Sequence, residues 1–244
     1  MIQWNKVSRK VVIEMTPLQQ RIETIEDTIC QACERVGRDR QEVTVIAVTK
    51  QVSTERTQQV LESDIVHLGE NRPEGLLAKQ QAIPQGAVWH FIGNVQSRKV
   101  KEIIERVDYL HSLDRISIAN EIQKRSAEPV DCFVQVNVSG EDSKSGLKPS
   151  ETEGFIEALK DYDKIRVIGL MTMAPLTEDR EEIRNVFKSL RELRDDLASK
   201  NMKHAPVTKL SMGMSNDYSI AIEEGATHVR IGTALVGSES EGDE

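Results

Sequence analysis

Residues 43–50 read Val-Thr-Val-Ile-Ala-Val-Thr-Lys. Nearly every position is apolar or β-branched and no polar residue alternates with them. That is the pattern of a strand buried on both faces, as in a parallel sheet covered by helices. A polar helical stretch follows, and the same alternation then repeats. Further strands are predicted over Ile65–Gly69, Val88–Gly93, Tyr109–Leu113, Cys132–Val138, Val167–Met173, Val207–Met212 and His228–Ile231. Helical segments fall between them, among them Gln96–Val107, Ile116–Ser126, Thr152–Asp161 and Glu178–Lys200. In the last of these, Ile183, Phe187, Leu190, Leu193 and Leu197 make one apolar stripe. Upstream, Thr16-Pro17 has the chemistry of a helix start, with Ile22, Ile25, Ile29, Cys33 and Val36 at helical spacing and Gly37 as the stop.

Strands alternating with helices pair in parallel. Eight such units in this length of chain point to an α/β fold, a (β/α)8 TIM-type barrel with an additional N-terminal helix. An open doubly wound sheet is the competing arrangement. No composition break divides the chain. It is expected to comprise an N-terminal extension over 1–15, a single barrel domain over 16–237 and a flexible acidic tail over 238–244.

The chain has 244 residues, 38% hydrophobic and 30% charged, with a formal net charge of -8. An acidic surface repels phosphate backbones, so no nucleic-acid partner is expected. The small patch Arg98, Lys99 and Lys101 is followed by Glu102 and Glu105 and reads as a solvated helix face. Cys30 and Cys33 have C-x-x-C spacing, but they lie within a helical pattern and no second pair exists, so neither a metal nor a redox role is expected. Three cysteines without a disulfide framework suit the cytoplasm. No segment resembles a signal peptide or approaches the roughly 20 apolar residues of a membrane span.

In such barrels the chemistry sits at the C-terminal ends of the strands. Lys50 ends the first strand there, and a lysine leaving an apolar core should be partly desolvated with a lowered pKa, as imine chemistry requires. From position alone a rim lysine in a salt bridge is the better reading. Two further strand ends add to it. Ser211, Gly213 and Ser215 follow strand seven, and Gly232 and Thr233 follow strand eight with a helix close behind. Glycine and hydroxyl residues at these two loops are the usual barrel phosphate site. A phosphate site and a lysine facing one mouth suit a phosphorylated aldehyde cofactor.

The chain resembles the pyridoxal phosphate (PLP) homeostasis proteins, the YggS/PROSC family, over nearly all of 16–237. The resemblance rests on Ala47-Val-Thr-Lys50, His67-Leu-Gly-Glu-Asn71, Trp89-His-Phe-Ile-Gly93 with Val95-Gln-Ser97, and Ser143-Lys-Ser-Gly146. Gly169-Leu-Met-Thr-Met173, Leu210-Ser-Met-Gly-Met-Ser-Asn-Asp217 and Val229-Arg-Ile-Gly-Thr-Ala-Leu235 complete it. It implies a fold-type III barrel like the N-terminal domain of alanine racemase, with pyridoxal 5'-phosphate as an internal aldimine on Lys50. It implies that Ser211, Gly213, Gly232 and Thr233 form the phosphate cup, that Arg230 faces the pyridine nitrogen and that Asn71 lies at the pocket wall. Met212 and His90 would neighbour the ring, although His90 reads equally as a hydrogen-bonded core histidine; for His67 and His111 the core reading is the better one. Gln51 departs from the small polar residue expected after the lysine.

A guanidinium at the pyridine nitrogen makes the ring a weak electron sink. Racemases of this fold add an acid/base on the opposite face. Tyr109, Tyr162 and Tyr218 are poorly placed for that by sequence. The resemblance implies a non-catalytic protein that maintains vitamin B6 and amino/keto-acid balance, and a monomeric cofactor carrier with PLP-dependent apo-enzymes as recipients is expected. A weak amino-acid racemase or decarboxylase is the alternative. Lys144 is a second lysine to consider, read as an exposed loop residue or as a transient holder during transfer.

Overall fold

Thr16 begins the first helix as its residue type requires. Its hydroxyl accepts from the Gln19 N–H at 3.3 Å, and Gln19 Oε1 accepts from the Thr16 N–H at 2.8 Å. Two amides otherwise left open at a helix start are thereby satisfied. Helix α1 (Pro17–Val36) ends at Gly37, whose φ of 66° is the left-handed conformation glycine adopts without strain. The computed structural model describes residues 15–141 and 144–238. The extension read over 1–15 (apart from Met15) and the tail read over 238–244 (apart from Ser238) lie outside the described residues.

Eight parallel strands follow: β1 (Thr44–Val48), β2 (His67–Glu70), β3 (Val88–Phe91), β4 (Tyr109–Leu113), β5 (Val130–Gln135), β6 (Ile165–Met171), β7 (Lys209–Ser211) and β8 (His228–Ile231). Each pairs with the next, and β1 pairs with β8 through Thr44↔His228 to Ala47↔Ile231, so the sheet closes into a barrel. The open-sheet alternative is excluded. Helices α2 (Thr54–Glu62), α3 (Pro73–Ala82), α4 (Val100–Ile103), α5 (Ile116–Arg125), α6 (Pro149–Ala158), α7 (Arg180–Ser199), α8 (Tyr218–Glu223) and α9 (Thr233–Val236) succeed the strands in turn. Helix α1 is additional to this ring and packs against α8 and α9. It buries Leu18, Ile25, Ile29, Ala32 and Cys33 there.

Barrel interiors are ordinarily filled by Val, Ile and Leu. This one adds polar and aromatic side chains to aliphatic ones such as Ile46. His90 on β3 lies 6.3 Å, ring to ring, from His228 on β8, and Phe133 on β5 lies 5.1 Å from the same His228. Contacts between strands so far apart in the sheet order run across the lumen. Four of the chain's five histidines are gathered there: His67, His90, His111 and His228.

Candidate functional site

Strand β1 ends at Val48, where the ladder to β2 closes on Gly69. The chain then turns, with the Val52 N–H donating to the Thr49 carbonyl at 3.1 Å. Lys50 therefore stands two residues past the strand and its side chain is exposed. This corrects the expectation of a lysine desolvated by the barrel core: the turn lifts it clear.

What is buried is the residue before it. Thr49 Oγ1 donates to Glu70 Oε1 at 2.6 Å. Lys79, on α3, donates from Nζ to the same carboxylate oxygen at 2.6 Å and also to the Thr49 carbonyl. The Lys79 and Glu70 side chains are only 7% and 1% exposed. A buried ion pair stands when its remaining groups are hydrogen-bonded, as these are. The cluster clamps the backbone that carries Lys50. Sequence reading passed over Lys79, because a lysine in a polar helix carries no mark of the carboxylate it will meet.

Lys50 opens onto a cleft of ≈ 530 Å³ at the C-terminal ends of the strands. Asn71, Arg230, Gly232 and Thr233 line it, as do Ser215 and Asp217. The Gly232 N–H donates to Ser215 Oγ at 3.2 Å, which ties the loops after β7 and β8 together. A cavity of ≈ 540 Å³ at the opposite end, lined by Tyr109, Asp131 and Arg166, is no smaller. It lies at the strand starts, where barrel active sites are not found, and its arginine is already paired with Asp131.

Four expected site residues do not line the cleft. Ser211 is fully buried and its hydroxyl is engaged inside the barrel by His111 and Arg230. Met212, the next residue, points the other way and joins the hydrophobic core, as strand alternation requires. Gly213 has φ +92°, and a Cβ there would sit 2.6 Å from the Ala221 Cβ, so its glycine serves the turn. His90 is buried in the lumen, hydrogen-bonded to His67 and His111, which is the core reading. The hydroxyl that reaches the cleft from this loop is that of Ser215. Lys144 does not line the cleft either; its Nζ pairs with Glu141 at 2.5 Å, while Ser143 lies outside the described residues.

Arg230 lines the cleft from a buried position. Its Nη1 donates to Ser211 Oγ at 2.5 Å and its Nη2 to the Thr172 carbonyl at 2.9 Å. Among the described residues no carboxylate lies within ion-pair distance of it. Burial pushes its pKa down to about 10, with the more distant Asp217 opposing. It thus remains a cation at neutral pH, held by two neutral acceptors. Asp217 is itself raised by burial. Among the described residues no group of three or more His, Cys, Asp or Glu side chains is arranged to hold a metal ion. No helix there is long and apolar enough to cross a membrane.

The family model described as "Alanine racemase, N-terminal domain" matches residues 23–240. A pyridoxal phosphate homeostasis protein of Aquifex aeolicus is 40% identical over 89% of this chain and 96% of its own length. The chain belongs to the pyridoxal phosphate homeostasis protein family. A second member of the family, from Pseudomonas aeruginosa, is 36% identical over 93% of the chain and 98% of its own length. Among solved structures, PipY of Synechococcus elongatus, determined with PLP bound, superposes with a TM-score of 0.75 at 26% identity, over 87% of this chain and all of that one. An alanine racemase of Corynebacterium glutamicum, at 15% identity and a TM-score of 0.64, covers 91% of this chain and 63% of its own and shares the barrel fold.

Proposed function

We propose that this protein binds pyridoxal 5'-phosphate and serves vitamin B6 and amino/keto-acid homeostasis as a carrier, with the Lys50 amine as covalent anchor. The unit taken to do this is residues 16–237, acting as a monomer in the cytoplasm. The observation that carries the reading is the convergence of Lys50, Arg230 and the tied loops at Ser215, Gly232 and Thr233 on one cleft.

The site fits the group chemically. When bound, pyridoxal 5'-phosphate supplies an aldehyde carbon that an amine can capture and a ring that draws electrons. Lys50 offers its amine from a turn held by the Thr49–Glu70–Lys79 cluster. Arg230 is a buried cation with no carboxylate in contact among the described residues, and so is suited to face an acceptor. A guanidinium has no proton to give up at neutral pH, so Arg230 keeps a facing pyridine nitrogen unprotonated. That favours holding over turnover. Ser215, Gly232 and Thr233 are taken to receive the phosphate, and Asn71 forms the wall.

The tyrosines support the carrier reading over a racemase or decarboxylase. Tyr109 stacks on His90 at the far end of the barrel. The Tyr162 hydroxyl donates to Asn120 at 2.8 Å, and Tyr218 is buried on α8. None of them lines the cleft. PLP-dependent apo-enzymes are the proposed recipients, and the exposure of Lys50 makes the anchor accessible to exchange.

Purified protein supplied with pyridoxal 5'-phosphate is expected to show an imine absorbance band at about 420 nm, lost in Lys50→Ala. A wild type that takes up none overturns the reading. Rapid, Lys50-dependent exchange of amino-acid Cα hydrogens with solvent deuterium would replace the carrier by an enzyme.

A further inference from the structure

A continuous hydrogen-bonded column runs through the barrel interior. His67 Nδ1 meets His90 Nε2 at 2.9 Å, His90 Nδ1 meets His111 Nε2 at 2.9 Å, and His111 Nδ1 meets Ser211 Oγ at 2.9 Å. Arg230 Nη1 closes the column by donating to Ser211 Oγ at 2.5 Å. Packing holds the ring planes. Tyr109 stacks on His90 with centroids 4.4 Å apart and an angle of 4°, and Phe133 stacks on His111 at 4.4 Å.

A neutral imidazole has one N–H and one acceptor nitrogen. Burial lowers the pKa of all three rings, which keeps them neutral. His90 and His111 use both nitrogens inside the column, so their tautomers cannot change one at a time without setting two donors or two acceptors face to face. Only two arrangements satisfy every contact: N–H on Nε2 in all three rings, or N–H on Nδ1 in all three.

The Arg230 end chooses between them. A guanidinium only donates, so Ser211 Oγ must accept from it. If His111 also donated to Ser211, the serine's own hydrogen would be buried with no acceptor among the described residues. With the opposite polarity Ser211 donates to His111 Nδ1, His111 Nε2 donates to His90 and His90 Nε2 donates to His67. The last N–H then falls on His67 Nε2, on the half-buried ring at the start of β2.

We propose that the charge on Arg230, relayed through Ser211, sets a common Nε2–H tautomer in His111, His90 and His67, and that this column in turn positions Arg230 at the cleft. Ser211 and the three histidines are positioning residues. Any change in what Arg230 donates to is then registered at the opposite end of the barrel. The column needs only groups of the chain itself and goes beyond the cofactor reading.

The test is long-range 1H–15N correlation on cofactor-free protein labelled at the histidine ring nitrogens, at neutral pH. All three rings are expected to show the Nε2–H pattern. Mixed tautomers in the wild type overturn the proposal without any variant. In Ser211→Ala the single tautomer at His67, two rings away, is expected to be lost, and Ser211→Thr, which keeps the hydroxyl, should restore it. An unchanged His67 in Ser211→Ala overturns the relay. His67→Phe, at the half-exposed end, probes direction: His90 and His111 should keep Nε2–H because polarity is set at Arg230, and a flip of His111 overturns that assignment. Loss of the imine band discussed above would defeat the cofactor reading and leave these results standing.

Discussion

Lys50 shows what a residue's neighbours add to its chemistry. The sequence places Lys50 at the end of the first strand, but it stands two residues past it, exposed on a turn, and it is Thr49 that the core grips. Replacing Lys79 by methionine leaves the Glu70 carboxylate buried without its cation, held only by the Thr49 hydroxyl. Lys79→Met is expected to cost about 3–5 kcal/mol of stability, seen as a lower denaturant midpoint, and to slow uptake of pyridoxal 5'-phosphate. The pair variant Glu70→Leu/Lys79→Met should recover most of that loss, since buried pairs are often replaceable by apolar residues of similar volume. A single variant as stable as the wild type would show that Lys79 does not brace the Lys50 turn. Ser215→Ala frees the Gly232 amide and should weaken cofactor affinity by about fivefold, the worth of one ordinary hydrogen bond of about 1 kcal/mol; an absorbance titration reads it directly. Strand-end position marks Lys50, Gly232 and Thr233, and the family resemblance marks Arg230; all four line the cleft, whereas Ser211 and His90 turn into the barrel, because a sequence shows that a side chain is polar and not which way it points.

At the level of elements, periodicity located nearly everything and misjudged the ends. The first strand was read to Lys50 and stops at Val48; the strand read over Val207–Met212 is reduced to Lys209–Ser211. An apolar run records burial, and burial continues after the ladder of hydrogen bonds has parted. Caps were better marked. Thr16 and Gly37 bound α1 because their chemistry is local, and Asp179 caps α7 by accepting from the Glu181 and Glu182 amides at 2.9 and 3.2 Å. Helix α1 lies outside the barrel's strand–helix repeat, so its attachment rests on its apolar face. Ile29 is fully buried there. Ile29→Ala is expected to lower stability by about 2–5 kcal/mol with little change in the denaturant slope, and a cost below 1 kcal/mol would mean that α1 adds little to the barrel.

For the molecule as a whole, the polar lumen has a consequence in acid. Burial lowers the pKa of His90 and His111 well below the usual imidazole value and that of His228 to about 3. Unfolded histidines take up protons near pH 6.5, so in this window the unfolded chain binds more protons than the fold. Stability from these groups is present above that pH and is lost as pH falls toward the depressed folded values. From pH 7 to pH 5 each fully buried histidine should contribute a loss of about 2 kcal/mol. The carboxylates held low by arginines, such as Glu26 and Glu121, begin to lose their contribution only further into acid. Buried Asp114 and Asp217, raised by desolvation, act in the opposite sense. Urea midpoints across this range read the effect, and a flat profile would show that the lumen histidines are not held neutral.

Strand–helix alternation and buried-strand composition determine a parallel α/β fold and point to a barrel, because both are short-range patterns; that the sheet closes, rather than staying open, was decided by the pairing of β1 with β8. The lysine and the two glycine–hydroxyl loops were visible for a similar reason: each belongs to a strand end, and strand ends share one mouth, while the arginine was marked by the family resemblance. Tertiary structure alone decided which of those side chains reach the cleft, that Lys79 braces the turn of Lys50, and that histidines on β2, β3 and β4 align with Ser211 on β7 into one column. Those relations join residues up to 100 positions apart in the chain. They exist only once the barrel closes and brings inward-facing positions of non-neighbouring strands within hydrogen-bond reach.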